Sequence, residues 1–236
     1  DIAVTNGNAF TAAVVDTQAR QLLEARPARR VAVVGASGSV GGAVSELLAR
    51  DAEVDHLTLI ARSRPRLEAL ADRIGARVPT TIGTDLTGLA DADLIILLTA
   101  SADALVRPEH LAPGAVVLDA TQPRNTAPDL LVARPDVTVV DGGIVSIPSL
   151  RLTGGDIGLP NGRAYACFAE TALLALTGHT GHFCLGVPTL EQVARTRALA
   201  AELAHLGFTA AEPTSFGRPL SAPAALSATA AAMVSA

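Results

Sequence analysis

The best candidate for covalent chemistry in this chain is Cys167, one of two cysteines among 236 residues. It stands where a glycine-rich stretch gives way to a predicted helix over residues 165–177, which places it in the first helical turn. A helix start carries partial positive charge and unpaired N–H groups, so it favours the thiolate, which is the nucleophilic form of cysteine. Beside a nicotinamide, such a thiolate predicts transfer of an acyl group from a thioester, followed by hydride transfer that releases an aldehyde. The competing interpretation is a buried cysteine that acts as a small apolar residue.

Other polar groups near Cys167 have less specific signals. Glu170 follows one helical turn later and is a candidate catalytic residue that orients the substrate, although capping first-turn N–H groups is the competing role. His179 and His182 lie in a Gly-His-Thr-Gly-His context that favours an exposed turn over a proton donor, and Cys184 has apolar neighbours typical of a structural thiol. No set of His, Cys, Asp and Glu has the spacing of metal ligands, so no metal site is predicted.

A glycine turn between a predicted strand and a predicted helix indicates a dinucleotide site. In such a turn the first glycine permits a tight bend, the second lets the backbone approach a pyrophosphate, and the third lets the helix pack on the strand. The helix start then offers N–H groups to the phosphates. A plain turn of an α/β domain is the alternative. The predicted cofactor-binding residues here are Gly35, Ser37, Gly38, Ser39, Val40 and Gly41.

The end of the second predicted strand indicates which dinucleotide binds. An NAD site usually places a carboxylate there, but this chain has two arginines and a hydroxyl, which suit the 2′-phosphate of NADPH. Ordinary solvated charges are the alternative. The residues concerned are Arg62, Ser63 and Arg64. At the carboxyl end of the strand predicted at residues 93–98, near the expected position of the nicotinamide ribose, we predict Thr99, Ala100 and Ser101 as cofactor-binding residues.

The elements that must position these residues follow from the alternation of short apolar runs with helical periodicity. Strands are predicted at residues 30–34, 57–60, 93–98, 115–118 and 137–140, with helices around residues 40–48 and 64–74 and a helix-compatible stretch at 102–111. This pattern predicts an α/β fold with a doubly wound, parallel Rossmann sheet. A helix over residues 11–24 precedes the sheet. Two more helices follow a long irregular stretch after residue 141, and the second, over residues 190–206, begins with a capping box of Thr189 and Gln192.

We therefore divide the chain into four parts. Residues 1–28 form a leading turn and helix, and residues 29–145 an NADP-binding Rossmann domain. Residues 146–220 hold the loop with Cys167 and the C-terminal helical substrate region, and residues 221–236 are a low-complexity tail.

Composition excludes several function classes. A formal charge of −5 gives no general attraction to nucleic acid, and no apolar run is long enough to cross a membrane as a helix. All 18 basic residues are arginine, which excludes a lysine Schiff base, a Gly-Lys-Ser/Thr phosphate loop and a Tyr-x-x-x-Lys catalytic pair. The first residue is aspartate and no leader precedes the first motif, so a cytoplasmic location is the expectation.

Together these motifs resemble the cyanobacterial-type long-chain acyl-(acyl-carrier-protein) reductases. The segment Ala166-Cys167-Phe168-Ala169-Glu170 is similar to that family's Ala-Cys-Phe-Ala-Glu, and Gly142-Gly143-Ile144-Val145 to its Gly-Gly-Ile-Val. The segment from Asp119 through Pro123 to Asn125 resembles its Asp-Gly-Gly-x-Pro-Lys-Asn loop, with Arg124 in place of lysine and with Thr121 and Gln122 departing from the pattern. The residues Thr5-Asn6-Gly7-Asn8 resemble its Thr-Gly-Asn segment, whereas its N-terminal substrate-covering domain has no counterpart here.

The resemblance implies an NADPH-dependent enzyme that makes fatty aldehydes, in which Cys167 is the residue acylated by the substrate. The expected partner is an acyl group carried on acyl carrier protein or on CoA. Two other functions stay open from the residues alone. One is a semialdehyde-type, NADP-dependent dehydrogenase, whose Asn-Cys-Thr-like context is absent here. The other is a non-catalytic NADP(H)-binding sensor in which Cys167 belongs to the core.

Overall fold

A six-stranded parallel sheet forms the centre of the protein in a computed structural model that describes residues 2–24, 29–101, 105–153, 155 and 157–220. The strand order is β3-β2-β1-β4-β5-β6, and the direction of winding reverses between β1 and β4. This order is that of a Rossmann fold, so the predicted fold class is confirmed. The strands are β1 (Arg30–Val34), β2 (His56–Ile60), β3 (Thr80–Gly83), β4 (Leu94–Leu97), β5 (Val116–Asp119) and β6 (Thr138–Asp141).

Both faces of the sheet are covered, which explains why its strands are apolar without interruption. In β4, for example, Leu94 and Ile96 face one apolar cluster while Ile95 and Leu97 face the other. The first cluster is built mainly with helices, and the second with short connecting segments and one short helix. The helices are α1 (Asn8–Glu24), α2 (Ser39–Asp51), α3 (Arg64–Ile74), α4 (Leu130–Ala133), α5 (Ala166–Leu176) and α6 (Leu190–Glu202).

Helix α1 lies in the middle of the helical layer and packs against α2, α5 and α6. Most of its side chains are buried, including a charged one, Asp16. That carboxylate accepts hydrogen bonds from Arg20 Nε at 2.8 Å and from Arg197 Nη2 on α6. Two guanidinium groups therefore compensate the buried charge and tie α1 to α6.

The part of the chain after the main sheet contains more structure than the sequence predicts. Strand β7 (Ile144–Ser146) pairs antiparallel with β8 (Arg163–Tyr165) and with β9 (Thr209–Ala210), and β10 (Thr214–Ser215) forms a hairpin with β11 (Arg218–Pro219). The expectation of an irregular stretch after residue 141 is therefore wrong at β7. Strand β7 also begins inside the segment 29–145 that we assigned to the nucleotide domain.

Other boundaries agree more closely. The capping box of α6 is present, since Gln192 N donates to Thr189 Oγ1 at 3.1 Å and Thr189 N to Gln192 Oε1 at 2.9 Å. The leading helix begins at Asn8, three residues earlier than expected. The helix-compatible stretch 102–111 is not an α-helix where it is described, because residues 105–111 contain only the 3-10 turn Pro108–His110. Residues 102–104 and the tail 221–236 lie outside the described residues.

Candidate active site

The glycine turn after β1 is tightly packed against neighbouring backbone. We call residues 35–41 the glycine cradle. A Cβ at Gly35, whose φ is +89°, would lie 2.5 Å from Leu98 O, and a Cβ at Gly41 would lie 2.2 Å from Gly35 O. At Gly38, the residue before α2, a Cβ would lie 3.1 Å from the same oxygen. Only glycine fits at Gly35 and Gly41, as a dinucleotide turn requires, whereas a Cβ at Gly38 would need its neighbour to move by only a few tenths of an ångström. The turn is also fixed to β2, because Gly35 N and Ala36 N donate to Ile60 O at 2.8 and 3.1 Å.

The residues expected to select the 2′-phosphate lie directly beside this cradle. Ser63 is the N-cap residue of α3, but its side chain makes no capping hydrogen bond. Arg62 is exposed, and Arg64, in the first turn of α3, has a long contact of 3.6 Å with Glu68 on the exposed helix surface. Two guanidinium groups and the start of α3 therefore lie at the carboxyl end of β2, where we expect the 2′-phosphate.

The segment after β4 is joined to the loop after β5. Thr99 Oγ1 donates to Asn125 Oδ1, and Asn125 Nδ2 donates to Ser101 O at 3.1 Å. Ser101 N in turn donates to Thr99 Oγ1 at 3.2 Å, while Ala100 between them is exposed. The predicted residues Thr99, Ala100 and Ser101 thus lie at the switch point of the sheet, and the buried Asn125 fixes their backbone.

The loop that carries Asn125 is held by a buried aspartate at the end of β5. Asp119 Oδ1 accepts hydrogen bonds from the backbone and hydroxyl of Thr121, at 3.1 and 2.5 Å. Its Oδ2 accepts the same pair from Thr126, at 2.9 and 2.7 Å. Four donors on one carboxylate explain why an aspartate is needed there, and they give it a structural role.

A second buried aspartate, Asp141, ends β6. Its Oδ1 accepts from Arg124 Nη2 at 2.9 Å, and its Oδ2 accepts from Thr214 Oγ1 at 2.7 Å and from Gly217 N at 2.8 Å. The guanidinium carbon of Arg124 also lies 5.6 Å from the centroid of the Phe216 ring. The hairpin β10–β11 is thereby fastened to the carboxyl edge of the main sheet, and Arg124 is held next to it.

Cys167 lies at this same edge. Ala166 N, at the start of α5, donates to Gly143 O at 2.8 Å, and Gly143 lies two residues after the end of β6. Cys167 is in the first turn of α5 and is exposed, whereas Cys184 is buried as expected for a structural thiol. Neighbouring strands lie about 4.8 Å apart, so the glycine cradle at β1 and the end of β6 are separated by roughly 14 Å along one edge.

The protonation of Cys167 differs from the expectation. The backbone N–H groups of Cys167 and Phe168 lower the pKa of the thiol, as a helix start should. The protein atoms around the sulfur displace part of its hydration, however, and this larger effect raises the pKa of the Cys167 thiol above its ordinary value, with the Glu170 carboxylate adding to the rise. The resting residue is therefore the thiol at neutral pH.

The segment Thr5-Asn6-Gly7-Asn8 packs directly on Cys167. A Cβ at Gly7, whose φ is +76°, would lie 2.4 Å from Cys167 Cα and 2.5 Å from its Cβ. The segment is anchored to the loop after α5, since Asn6 N donates to Cys184 O at 2.8 Å and Asn6 Nδ2 to Gly186 O at 2.9 Å. We call residues 4–8 the strap. From the residues alone this segment was predicted only as a polar turn. Its resemblance to the Thr-Gly-Asn segment of the acyl-(acyl-carrier-protein) reductases was the one signal that could have connected it with Cys167.

Glu170 binds the strap and the start of α1. Its side chain is fully buried, its Oε1 accepts from Thr5 Oγ1, and its Oε2 accepts from Phe10 N at 2.7 Å. The carboxylate therefore caps the N-terminus of α1, not of its own helix. His179 and His182 are both exposed. His182 Nδ1 accepts a hydrogen bond from Val4 N at 3.2 Å, and the ring centroids of His179 and Phe183 lie 5.3 Å apart in an edge-on arrangement.

Two further searches were restricted to the described residues. No group of three or more His, Cys, Asp or Glu in those ranges is arranged to hold a metal ion. No helix in the same ranges is long and apolar enough to cross a membrane.

Comparison with known families agrees with the geometry of the cradle. Residues 30–142 match the family model "Semialdehyde dehydrogenase, NAD binding domain". This chain contains an NAD(P)-binding domain. The match begins at β1 and ends just after β6, so it covers the whole parallel sheet. The domain is of the type found in dehydrogenases and reductases.

Two curated proteins are similar over most of this chain. Aminotransferase PigE from Serratia sp. is 29% identical over 194 residues, which are 78% of this chain and 22% of that protein. The long-chain acyl-[acyl-carrier-protein] reductase of Synechococcus elongatus is 30% identical over 191 residues, which are 77% of this chain and 54% of that protein. The chain thus spans about a fifth and about half of the lengths of these two relatives.

Solved structures with detectable similarity include the nucleotide-binding domain of glutamyl-tRNA reductase from Thermoplasma volcanium, with 17% identity, a TM-score of 0.41 and coverage of 53% of this chain and 84% of that one. A thermostable alcohol dehydrogenase from Pyrobaculum aerophilum aligns with 21% identity and a TM-score of 0.42 over 72% of this chain and 45% of that one.

Proposed function

We propose that this protein is an NADPH-dependent reductase that takes an acyl group from a thioester onto Cys167 and releases it as an aldehyde. The observation that carries the proposal is the position of Cys167, which is exposed in the first turn of α5 at the sheet edge that holds the glycine cradle. The curated relative that reduces long-chain acyl-(acyl-carrier-protein) supports the choice of an acyl thioester.

The residues present fit the cofactor. Gly35 and Gly41 leave no room for a Cβ against the neighbouring backbone, as the tight turn and the close helix–strand packing of a dinucleotide site require, and Gly38 would let the backbone approach the pyrophosphate. Arg62, Ser63 and the start of α3 would hold the 2′-phosphate. When bound, NADPH supplies a hydride from its nicotinamide ring.

The chain's own residues supply the rest of the chemistry. Cys167 Sγ attacks the thioester carbonyl and forms the covalent acyl intermediate. The N–H groups at the start of α5 stabilise the negative charge that develops on the carbonyl oxygen. Glu170 acts through the strap as a positioning residue, since both of its oxygens are engaged by Thr5 and Phe10. The acyl donor is carried on acyl carrier protein or on CoA.

Intact mass spectrometry tests the covalent step without the cofactor. The protein is incubated with decanoyl-CoA in the absence of NADPH, and a decanoyl adduct is expected. The two cysteines provide a matched pair: Cys167→Ala should abolish the adduct, whereas Cys184→Ala should retain it. An adduct that survives Cys167→Ala, or no adduct on the unaltered protein, would contradict the proposal.

Titration of the two reduced cofactors tests the role of the arginines. Replacing Arg62 or Arg64 by alanine should raise the Kd for NADPH by roughly 10- to 100-fold, as expected for loss of a hydrogen bond to a charged group, and leave the Kd for NADH unchanged. Arg66→Ala, at an exposed position of the same helix, is the control. Tighter binding of NADH than of NADPH by the unaltered protein would refute the cofactor assignment.

The second candidate function is a semialdehyde dehydrogenase, which the family match over residues 30–142 favours. It would use Cys167 on a small aldehyde and pass the acyl group to phosphate or water. Steady-state rates with decanoyl-CoA and with small aldehydes plus NADP+ separate the two functions. Faster turnover of the small aldehydes would replace the acyl-thioester assignment.

A further inference from the structure

Exposed apolar side chains are concentrated in the segments around Cys167. Of the large apolar side chains exposed in the described parts of the chain, only Val132 on α4 and Leu176 at the last residue of α5 lie elsewhere. The others belong to the strap, to the chain just before it, to the loop after α5 or to the position after Cys167, and their exposed fractions run from 43% to 87%: Ile2, Val4, Phe168, Leu185 and Val187. Apolar groups that are exposed together mark a binding surface.

The strap holds Val4 near Cys167. A Cβ at Gly7 would lie 2.4 Å from Cys167 Cα, so the Cα atoms of these two residues are within about 4 Å of each other. Val4 stands three residues before Gly7 and is fixed to the loop after α5, because its carbonyl accepts a hydrogen bond from Phe183 N at 3.1 Å. Phe168, which follows Cys167 in the first turn of α5, is also exposed. Exposed apolar groups therefore begin directly beside the cysteine.

The strap also holds the loop that carries Leu185 and Val187. The side chains of Asn6 and Asn8 both donate from Nδ2 to Gly186 O, at 2.9 and 3.1 Å. Gly186 stands between Leu185 and Val187, so both exposed side chains are fixed next to the strap residues that flank the contact with the cysteine. The side chains held around the cysteine in this way we call the apolar surface: Val4, Phe168, Leu185 and Val187.

The segments that carry the apolar surface have almost no charge. Residues 2–15, 164–169 and 171–190 contain no Asp, Glu, Lys or Arg. Glu170, which interrupts them, is fully buried and bound by the strap and α1. These segments supply no guanidinium for the phosphate or carboxylate of a small polar substrate. Their exposed apolar groups fit a hydrocarbon chain, whose burial is favourable in proportion to the area removed from water.

We propose that the acyl chain of the thioester lies on the apolar surface, an inference that rests on the proposed function. The bond to Cys167 Sγ fixes the carbonyl end of the chain, and the methylene groups after it extend over the strap towards Leu185 and Val187. Each methylene group buried in this way strengthens binding about fourfold. The surface therefore selects acyl chains that are long enough to reach these two residues, whereas an acetyl group gains nothing from them.

The test compares acylation of Cys167 by decanoyl-CoA and by acetyl-CoA, without NADPH and below saturation, by intact mass spectrometry. The unaltered protein should react at least about 15-fold faster with decanoyl-CoA, which corresponds to only two buried methylene groups. Leu185→Asp and Val187→Asp place a carboxylate at exposed positions. Each should slow decanoylation by about 15-fold or more and leave acetylation unchanged. Val132→Asp, at an exposed valine of α4, is the matched control and should leave both rates unchanged.

The possible outcomes separate this inference from the proposed function. Equal rates with the two thioesters, or equal slowing of both by Leu185→Asp, would overturn the role of the apolar surface and leave the proposed function standing. Light scattering tests a second copy of the chain as the occupant: a dimer that Leu185→Asp converts to monomers, with both acylation rates changed alike, would also overturn the inference. Absence of any adduct on the unaltered protein with either thioester would overturn the proposed function and the inference with it.

Discussion

The contact between the strap and Cys167 makes Gly7→Ala the most informative single substitution. Two effects lower the stability of the folded state at this position. A φ of +76° is strained for any residue with a Cβ by about 1–2 kcal/mol, and a Cβ placed 2.4 Å from Cys167 Cα forces displacement, which costs a further 1–3 kcal/mol or so. Gly178→Ala is the matched control, because Gly178 has a φ of +68° but nothing within 4 Å of its Cβ position.

Because Gly178→Ala shares the backbone strain, the difference in Tm between the two variants reports the cost of the displacement, and thiol reactivity reports the position of the strap. Each kcal/mol lowers the Tm of a protein of this size by roughly 2–4 °C, so Gly7→Ala should melt about 2–12 °C below Gly178→Ala. The displaced strap should also change the rate at which iodoacetamide alkylates Cys167, whereas Gly178→Ala should leave that rate unchanged. Equal Tm values for the two variants, together with equal alkylation rates, would refute the packing of the strap on Cys167.

Three further outcomes are expected. Because burial raises the pKa of the Cys167 thiol above its ordinary value of 9.0, its alkylation rate should still be rising at that pH, and a plateau below about pH 8 would contradict this. Glu170→Gln weakens the charge-assisted cap of α1 and should lower the free energy of urea unfolding by about 1.5–3 kcal/mol, while Glu202→Gln on the surface should have little effect. Arg134 and the backbone of Gly114 hold the pKa of Asp136 well below its ordinary 3.8, so Asp136 stabilises the folded state above that pH and the contribution is lost as pH falls. The urea midpoint of Asp136→Asn should therefore fall less between about pH 5 and about pH 2 than that of the unaltered protein. An equal fall in the two proteins would refute the lowered pKa of Asp136.

The sequence predicted well those features that depend on neighbouring residues. The bounds of α3 agree at both ends with the prediction, β1 agrees as well, and the capping box of α6 is present. The glycine turn could be placed because a strand, a turn and a helix follow one another directly. Such signals are local: apolar periodicity, caps and glycines act within a few residues of where they stand.

Features formed by distant parts of the chain escaped prediction. Strand β7 is only three residues long, and its partners β8 and β9 lie far along the chain, so no periodicity marks it. Glu170 has the spacing of a cap for its own helix, yet its partners are Thr5 and Phe10, some 160 residues away. The raised pKa of Cys167 likewise depends on atoms that only folding brings around the sulfur.

A crystal structure with bound NADPH measures the central claim directly. The acyl carbon on Cys167 must come within roughly 3–3.5 Å of the nicotinamide C4 for hydride transfer, so Cys167 Sγ should lie within about 5 Å of that atom. The same structure should show the 2′-phosphate beside Arg62 and Arg64. A sulfur more than about 10 Å from C4, or a nicotinamide ring turned away from α5, would contradict the account.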